Sequence, residues 1–436
     1  MRISVIGAGY VGLVQTAIMA NIGHDVMCVD SDPEKIKKLK NGECPIYEPE
    51  LQDMIEDAKA QIFYGNTVEQ AANWGEIVFV CVGTPEKEDG SPDLQYIDNV
   101  AKEIGESMRE HIIVVNKSTV PPGTAHRVKE IIQKYQKFPT TFDVVSNPEF
   151  LREGCAIHDA MNGDRIVIGT DNWKTAEKLI EAYQELQTQV FLTDTISAEM
   201  IKYASNAFLA TKISFINAIA QICEQVGADV KEVARGMGLD HRIGDKFLGA
   251  GIGWGGSCFG KDTSALIHIA DQIGYDFKML KATKEINEQM PKEFIQKIQT
   301  NLNGVNDKII GVLGVAFKPD TDDMRDARSI PIIQKLVKEG AIVKVYDPVA
   351  KHNAEKILTN VQWTNTIEEL AENTDAILII TEWKEFKDIK WREIKQKMRN
   401  PRIFDGRNMF EEEEMKRIGY EYYSIGRPNK EGIHNQ

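Results

Sequence analysis

The chain opens with a strand-like apolar run that ends in a glycine pattern. RISVIGAG is followed by the helix-like YVGLVQTAIMANIG, and Gly7, Gly9 and Gly12 form G-x-G-x-x-G across their junction. In such a strand–turn–helix unit, the first glycine permits a tight turn and the second lets the backbone approach a pyrophosphate. The third lets helix and strand pack closely. The N-terminus therefore predicts a βαβ unit that binds a dinucleotide diphosphate at a helix N-terminus.

The end of the second strand predicts which dinucleotide binds. DVMCVD ends in Asp30, and a carboxylate there accepts hydrogen bonds from a ribose diol and repels a 2′-phosphate. We therefore expect NAD, with Lys35 as a candidate contact at its adenosine end. Thr84 in VGTP and Thr119 in KSTVPPGT end further strands. Each hydroxyl is a candidate to touch the cofactor or hold a water, and each is equally suited to cap the next helix.

Strand and helix patterns alternate over most of the chain, which indicates an α/β protein. EIVFVCVG, HIIVVNKST, FDVVSNP and RIVIGT continue the N-terminal pattern and imply a parallel, doubly wound sheet. An apolar helix without Pro or Gly is predicted over roughly 197–226, and at 1.5 Å per residue it would run about 45 Å. The alternation restarts at KIIGVLGVAF and continues through AIVKVYDP, DAILIITEW and RIFDG.

These patterns divide the chain into three predicted domains. They are an N-terminal Rossmann domain over 1–195, a central helical and dimerisation domain over 196–300, and a C-terminal Rossmann-like domain over 301–436. Two nucleotide-binding folds suggest two nucleotide-bearing ligands, a cofactor and a substrate. The long helix has more apolar surface than one domain buries, so we expect at least a homodimer. EEEEMK and NKEGIHNQ near the C-terminus predict a solvated surface.

Charge and composition argue against several other partners. The formal net charge of −14 disfavours nucleic acid and anionic membranes. No run of about 18 apolar residues predicts a membrane span, and the N-terminus lacks a secretory cleavage site. The six cysteines form no C-x-x-C pair, so no metal site is expected. We therefore expect a cytoplasmic protein.

Two segments contain candidate reactive side chains. Cys258 ends the run GAGIGWGGSC, whose glycines let the backbone wrap a ligand closely. Its thiol is a candidate nucleophile, with Lys202 and Lys261 as neighbours that would favour the thiolate. A structural cysteine in a glycine turn is the competing interpretation. Lys202 and Asn206 lie four apart in KYASNAF, on one helix face, where an ammonium and an amide suit a developing oxyanion.

These motifs occur together in a known family. GAGYVG, VGTP, KSTVPPGT, NPEFLREG, KYASNAF, GGSCFGKD, GVAFKPDTDDMRDARS and FDGRN follow one another in this order. Over nearly its whole length the chain resembles the UDP-glucose 6-dehydrogenase branch of the nucleotide-sugar dehydrogenases. The resemblance implies an NAD-dependent, four-electron oxidation of UDP-glucose to UDP-glucuronate through a cysteine thiohemiacetal and thioester. One departure is Gly260, where bacterial relatives commonly have proline.

The resemblance also implies roles for individual residues. Cys258 is the nucleophile, and Glu149 is the general acid/base around thioester hydrolysis. Lys202 and Asn206 stabilise the oxyanion, while Asp262 assists proton transfer together with Lys202. With Thr119, which would hold the water, the catalytic set is Cys258, Lys202, Asn206, Asp262, Glu149 and Thr119.

Ligand contacts follow from the same motifs, with the C-terminal domain binding the UDP-sugar. The implied cofactor-binding residues are Gly7, Gly9, Val11, Gly12, Asp30, Lys35, Thr84, Thr119, Glu153, Lys261 and Arg325. The implied substrate-binding residues are Glu149, Phe150, Leu151, Arg152, Glu153, Lys202, Asn206, Arg242, Phe247, Leu248, Gly249, Ala250, Gly251, Gly255, Lys318 and Arg407. In the family, the counterpart of Arg242 reaches a neighbouring subunit's substrate.

Two other functions fit parts of this pattern. A sister enzyme of the family would act on GDP-mannose or a UDP-N-acetylhexosamine, whereas NPEFLREG and SCFGKDT favour UDP-glucose. A non-catalytic dinucleotide-binding regulator would keep the fold without turnover. Such a regulator would not need Lys202, Asn206, Cys258 and Asp262 together.

Overall fold

The structure, a computed structural model, describes residues 1–428. These residues divide into two compact units, one formed by 1–205 with 264–273 and the other by 206–263 with the residues from 274 onward. The division falls inside two helices, and the three-domain boundaries stay a prediction. NKEGIHNQ lies outside the described residues.

An eight-stranded sheet forms the core of the first unit, in the order β3-β2-β1-β4-β5-β6-β7-β8. Its strands are β1 Arg2–Ile6, β2 Asp25–Val29, β3 Ile62–Gly65, β4 Ile77–Val80, β5 Ile112–Asn116, β6 Phe142–Ser146, β7 Ile166–Gly169 and β8 Val190–Thr193. All neighbours pair in parallel except β6 and β7. The strand order reverses between β1 and β4, and a crevice at their carboxyl ends is where such sheets bind ligands.

Helices connect the strands of this sheet and cover its faces. They are α1 Tyr10–Asn21, α2 Pro33–Lys40, α3 Leu51–Asp57, α4 Val68–Trp74, α5 Gln95–Ser107, α6 Thr124–Tyr135, α7 Ala156–Met161 and α8 Trp173–Tyr183. Buried side chains of β1, β4 and β5 lie on both faces of the sheet. This arrangement explains why these strands consist mainly of apolar residues.

Long helices follow the first sheet in the chain. The predicted long helix is α9 Thr195–Val226, with 32 residues, and it is followed by α10 Val230–Gly238, α11 Phe259–Gln272 and α12 Lys278–Leu302. Cys258 directly precedes α11. No helix within residues 1–428 is long and apolar enough to cross a membrane.

A second, all-parallel sheet of six strands has the order β11-β10-β9-β12-β13-β14. Its strands are β9 Ile309–Leu313, β10 Ile342–Tyr346, β11 Gln362–Trp363, β12 Ala376–Ile379, β13 Arg402–Asp405 and β14 Glu421–Ser424. Its helices are α13 Ser329–Lys338, α14 Lys351–Ala354, α15 Ile367–Ala371, α16 Trp391–Lys397 and α17 Glu412–Arg417. The expected fold class, two Rossmann-like sheets with a helical middle part, is confirmed.

The prediction that EEEEMK is simply a solvated surface is wrong in part. The segment forms most of α17, in which Glu412 and Met415 are buried. Glu412 forms a salt bridge with Lys416 one turn later, with 2.7 Å between Oε1 and Nζ. The prediction followed from the four glutamates and ignored the apolar Met415, which packs into the core of the second unit.

Candidate active site

The glycine pattern forms the turn that the sequence predicted. Gly7 has φ +107°, and its N–H donates to the Val29 carbonyl at 2.8 Å. A Cβ on Gly12 would overlap the Gly7 carbonyl oxygen, so helix α1 can approach β1 only with glycine there. A Cβ on Gly9 would meet no atom of residues 1–428 within 4 Å. The backbone at Gly9 is thus open to a ligand, as a pyrophosphate requires.

Asp30 lies beside this turn at the end of β2. Its carboxylate accepts hydrogen bonds from the Ala8 N–H at 2.7 Å and the Asp32 N–H at 2.9 Å. Lys35 Nζ lies 3.5 Å from the same carboxylate, with the lysine side chain 41% exposed. A carboxylate accepts about four hydrogen bonds, so Asp30 keeps capacity for a ribose diol. Val11 lies half-buried in the first turn of α1, and together these residues fit the predicted NAD.

Thr84 and Thr119 follow β4 and β5 and are both buried. The Thr84 hydroxyl donates to the Thr119 carbonyl at 2.8 Å, which joins the two loops at the carboxyl edge of the sheet. Neither hydroxyl caps the helix that follows, because α5 and α6 are preceded by Leu94 and Gly123 without a side-chain cap.

Glu149 and Lys202 form a buried ion pair in the first unit. Lys202 Nζ donates to Glu149 Oε1 at 2.9 Å, and the Leu151 N–H donates to Glu149 Oε2 at 2.6 Å. The two side chains are 3% and 6% exposed. Burial alone would raise the pKa of the Glu149 carboxyl, but the Lys202 ammonium, these hydrogen bonds and the charge of Lys117 lower it. Glu149 therefore lies in the first unit as a carboxylate held at both oxygens.

The rest of NPEFLREG is a loop that surrounds this pair. The Phe150 ring lies under the Arg165 guanidinium at 4.1 Å and near Lys202 Nζ at 5.4 Å. Arg152 extends outward to Asp159 at 2.6 Å, and Glu153 is half-buried. Because the segment is not helical, the spacing of four between the two glutamates does not place them on one helix face.

Cys258, Asn206 and Asp262 lie in the second unit. Asn206 Nδ2 donates to Asp262 Oδ2 at 2.6 Å, and Lys261 Nζ lies 2.5 Å from Asp262 Oδ1. Asp262 is fully buried, while Cys258 is partly exposed. The Asp262 N–H donates to the Cys258 carbonyl at 2.9 Å, in the first turn of α11. A helix N-terminus favours negative charge, so this position suits a thiolate.

Two asparagines that no sequence motif indicated hold the glycine run before Cys258. Asn217 Oδ1 accepts from the Gly251 N–H at 2.9 Å. Asn287 brackets Trp254, accepting from its N–H at 2.7 Å and donating to its carbonyl at 3.0 Å. A Cβ on Gly255 would overlap the Asp326 carbonyl oxygen, which explains the glycine there. In the sequence, the only indication of their role was that each asparagine places a polar amide on the apolar face of a helix, α9 for Asn217 and α12 for Asn287.

The other predicted substrate residues of this run differ in exposure. Phe247 has a positive φ of +63° and is half-buried. Leu248 and Ala250 are buried, while Gly249 is exposed. Among these four residues, only Gly249 is exposed to solvent.

Besides Lys261, four predicted basic residues of the second unit have different surroundings. Arg407 is largely buried, and it donates to the carbonyls of Ile380 at 2.8 Å and Gly253 at 2.9 Å. Lys318 is half-buried with its Nζ over the neighbouring Phe317 ring. The exposed ones are Arg325, paired with Asp323, and Arg242, paired with Asp240.

The structure thus brings the predicted residues together in two groups. Asp30, Thr84, Thr119, Glu149 and Lys202 belong to the first unit, and Asn206, Cys258, Lys261 and Asp262 belong to the second. In the described part of the chain no group of three His, Cys, Asp or Glu side chains could hold a metal ion.

Similar proteins include curated enzymes and solved structures. A UDP-glucose 6-dehydrogenase of Bacillus subtilis is 50% identical over 99% of this chain and 94% of its own length. One of Rhizobium meliloti is 43% identical over 98% and 100%. A UDP-glucose dehydrogenase structure from Pyrobaculum islandicum has a TM-score of 0.91 at 35% identity, and covers 98% of both chains.

Family-level similarity extends across all three parts of the sequence. Three domains of the UDP-glucose/GDP-mannose dehydrogenase family match in order: the NAD binding domain over 1–187, the central domain over 196–289 and the UDP binding domain over 311–412. The resemblance predicted from the motifs is confirmed, and the chain belongs to the UDP-glucose/GDP-mannose dehydrogenase family.

Proposed function

We propose that this protein oxidises UDP-glucose to UDP-glucuronate with NAD⁺ in two successive oxidations. The observation that carries the proposal is Cys258 at the start of α11, one turn before the buried Asp262–Asn206 pair. An NAD-dependent oxidation that ends in an acid needs a nucleophile that holds the aldehyde. The curated relatives of Bacillus subtilis and Rhizobium meliloti are UDP-glucose 6-dehydrogenases.

Cys258 supports the second oxidation by covalent chemistry. Its sulfur adds to the C6 aldehyde, and the carbonyl oxygen takes up a proton to give a thiohemiacetal. When bound, NAD⁺ supplies the hydride acceptor for both oxidations. Loss of hydride from the thiohemiacetal carbon and of the hydroxyl proton gives a thioester, which water cleaves to the carboxylate and the thiol. A thiolate suits this path because it both adds and leaves readily.

Asn206 and Lys202 provide the donors for oxygen charge at C6. The buried Asp262 fixes the Asn206 amide through the 2.6 Å hydrogen bond, so the second N–H of that amide is held in one direction. Lys202 lies one helical turn earlier on α9. Asp262, with Lys261 at 2.5 Å, is also the acceptor for a proton in the second unit.

Glu149 is the general base for thioester hydrolysis in this scheme, and Thr119 helps to hold the water. The lowered pKa of Glu149 keeps the carboxylate ionised and ready to accept the proton of the water. Lys202, its partner at 2.9 Å, holds the carboxylate of this base in place.

The substrate is the part of the proposal that most needs a test. A UDP-N-acetylmannosamine dehydrogenase from Pyrococcus horikoshii has a TM-score of 0.86 at 29% identity, so the fold does not discriminate between sugars. The test measures NADH formation with UDP-glucose, GDP-mannose and UDP-N-acetylhexosamines. Turnover with UDP-glucose alone supports the proposal, and turnover only with another sugar assigns the sister activity. No NADH formation with any of these sugars favours the non-catalytic regulator.

Cys258→Ala tests the covalent path. Wild type should release two NADH per UDP-glucuronate, while the variant should still bind substrate and cofactor because Asp30 and the glycine turn are unchanged. Acid formation should fall almost to zero, as mass spectrometry of the products would show. Cys155→Ala, which removes an exposed thiol in the first unit, is the matched control. Near-normal acid formation by the Cys258 variant would exclude the thioester.

We also propose that two copies associate through α9. Phe208, Phe215 and Ile222 are 64%, 48% and 56% exposed and recur every seven residues, so they lie along one side of the helix. An exposed apolar stripe of this kind favours association. In such a homodimer the exposed Arg242 is available to reach a neighbouring subunit's substrate.

A cytoplasmic location is proposed from the state of the cysteines. All six are thiols, and Cys28, Cys81 and Cys223 are buried. A reducing compartment preserves such thiols.

A further inference from the structure

Lys117 is a buried lysine that the proposed mechanism does not use. It follows β5 in KSTVPPGT and is 8% exposed. Its Nζ donates to Asn147 Oδ1 at 3.1 Å and to the Tyr183 hydroxyl at 3.3 Å. That hydroxyl also accepts from Gln15 Nε2 at 3.2 Å and donates to Asn147 Oδ1 at 2.7 Å. A buried ammonium is costly, and the hydrogen bonds to Asn147 and Tyr183 compensate part of that cost.

The network is attached to the loop that carries Glu149. Asn147 lies two residues before Glu149, and its Nδ2 donates to the Val167 carbonyl at 2.7 Å. The Asn147 N–H donates to the Asn116 carbonyl at 2.9 Å. Lys117 therefore holds the residue at which the polypeptide leaves β6 and enters the Glu149 loop.

Lys117 also adds charge to the Glu149–Lys202 pair. The Lys117 ammonium interacts electrostatically with both partners of the pair. Burial lowers the pKa of Lys117 to about 8, the charge of Glu149 opposes that effect, and the charge of Lys202 adds to it. Burial raises the pKa of the Cys81 thiol, so it is neutral near pH 7. The ionisable groups around Lys117 are Cys81 directly after β4, Glu149 in its loop, Tyr183 on α8 and Lys202 on α9.

We propose that Lys117 is a positioning residue for Glu149: it fixes the loop that carries this carboxylate and supplies a second positive charge beside it. The inference rests on the proposed role of Glu149 as a base. With both lysines charged, Glu149 stays ionised at pH values where Lys202 alone would leave it partly protonated. Without Lys117, a larger share of the enzyme would hold Glu149 in the protonated form that accepts no proton from water.

The test compares Lys117→Met with Lys117→Arg over a kcat–pH profile. In Lys117→Met the acid limb should move upward by about one pH unit, which is roughly a tenfold loss of kcat at a pH on that limb. At high pH kcat should approach wild type, and KM for NAD⁺ should not change. Lys117→Arg should restore most of the acid limb because it returns the charge. Lys178→Met, which removes a half-exposed lysine paired with Glu76, is the control and should match wild type.

Two results of the pH-profile test would overturn the proposal. One is a folded Lys117→Met variant, judged by circular dichroism, whose pH profile overlays wild type. The other is an equal loss at every pH that Lys117→Arg does not relieve, which is the signature of a merely structural lysine. If Lys117→Met does not fold, Lys117→Gln takes its place, because its amide still donates to Asn147 but carries no charge.

A readout without turnover separates this proposal from the proposed function. Glutamate labelled with ¹³C, with Glu149→Gln to assign the signal, reports the pKa of Glu149 directly. The pKa should be higher in Lys117→Met than in wild type. If no nucleotide sugar supports NADH formation, the proposed function fails. The Lys117 inference is refuted by a different result, namely equal pKa values of Glu149 in Lys117→Met and in wild type.

Discussion

The buried ion pair between Lys202 and Glu149 should make the first unit sensitive to the loss of one partner. Lys202→Met leaves the Glu149 carboxylate 6% exposed with Lys117 as its remaining cation. Breaking a buried ion pair on one side costs about 3–5 kcal/mol, and the charge of Lys117 places the expected loss near the lower end. For a domain of 150–250 residues, about 2–4 °C of Tm per kcal/mol gives a decrease of roughly 6–12 °C.

The pH dependence of this loss has a defined sign. Because the pKa of Glu149 is lowered in the folded chain, the pair contributes stability that is present above the carboxyl's unfolded pKa of about 4.3. That stability is lost as the pH falls through the folded pKa. In Lys202→Met the carboxylate is protonated more easily, so its deficit against wild type should shrink between pH 7 and pH 5.

A calorimetric double-mutant cycle measures the coupling. Glu149→Leu alone leaves Lys202 buried without its carboxylate, whereas the double variant removes both charges and should lose much less than the sum of the single variants. Lys178→Met, at a half-exposed pair with Glu76 2.8 Å away, should cost under about 1 kcal/mol. Two results would contradict this expectation: a Tm of Lys202→Met equal to that of Lys178→Met, or a double variant whose loss in free energy of unfolding equals the sum of the two single losses.

Three further predictions use the same contacts. Gly12→Ala should unfold or strongly destabilise the first unit in thermal melts, because the Cβ overlaps the Gly7 carbonyl, whereas Gly9→Ala should melt like wild type and weaken only NAD⁺ binding in a titration. NADP⁺ should give a kcat/KM at least about tenfold below that of NAD⁺, since Asp30 repels the 2′-phosphate; equal values would contradict this. Phe208→Glu, at a 64% exposed position of α9, should shift the mass in light scattering from dimer toward monomer.

The fold was predictable where the sequence signal is local. The strand β4, buried on both faces, is an uninterrupted apolar run, and the glycine pattern after β1 predicts a tight turn. The strands β3, β8, β11 and β14 were missed because they are short, edge or near-edge elements with exposed positions. β11 has only two residues, Gln362–Trp363, and no periodicity can be read from two residues.

For the catalytic residues, sequence spacing predicted which side chains share a face only within a helix. Lys202 and Asn206 lie four apart on α9, and in a helix this spacing alone places two side chains on one face. Glu149 lies in a loop, where spacing predicts nothing, and its burial depends on Lys202, which lies 53 positions away. The surroundings of Lys117 could not be predicted for the same reason, because its hydrogen-bond partners are Tyr183 on α8 and Asn147 in the loop after β6.

The two sheets share a glycine turn after one strand and an aspartate directly after the neighbouring strand, but the two aspartates differ in their capacity to bind a ligand. Gly314 donates to the Tyr346 carbonyl at 2.8 Å, as Gly7 does to Val29, and Asp347 follows β10 as Asp30 follows β2.

Asp347 lacks the acceptor capacity that Asp30 keeps. It already accepts from five donors, namely the N–H groups of Val315, Ala316, Val349 and Ala350 and the Trp383 indole. A carboxylate has about four acceptor sites, so it has none left for a ribose diol. Of the two aspartates, only Asp30 can therefore hold the ribose of a dinucleotide, and a nucleotide at the second sheet would have to be bound by groups other than Asp347.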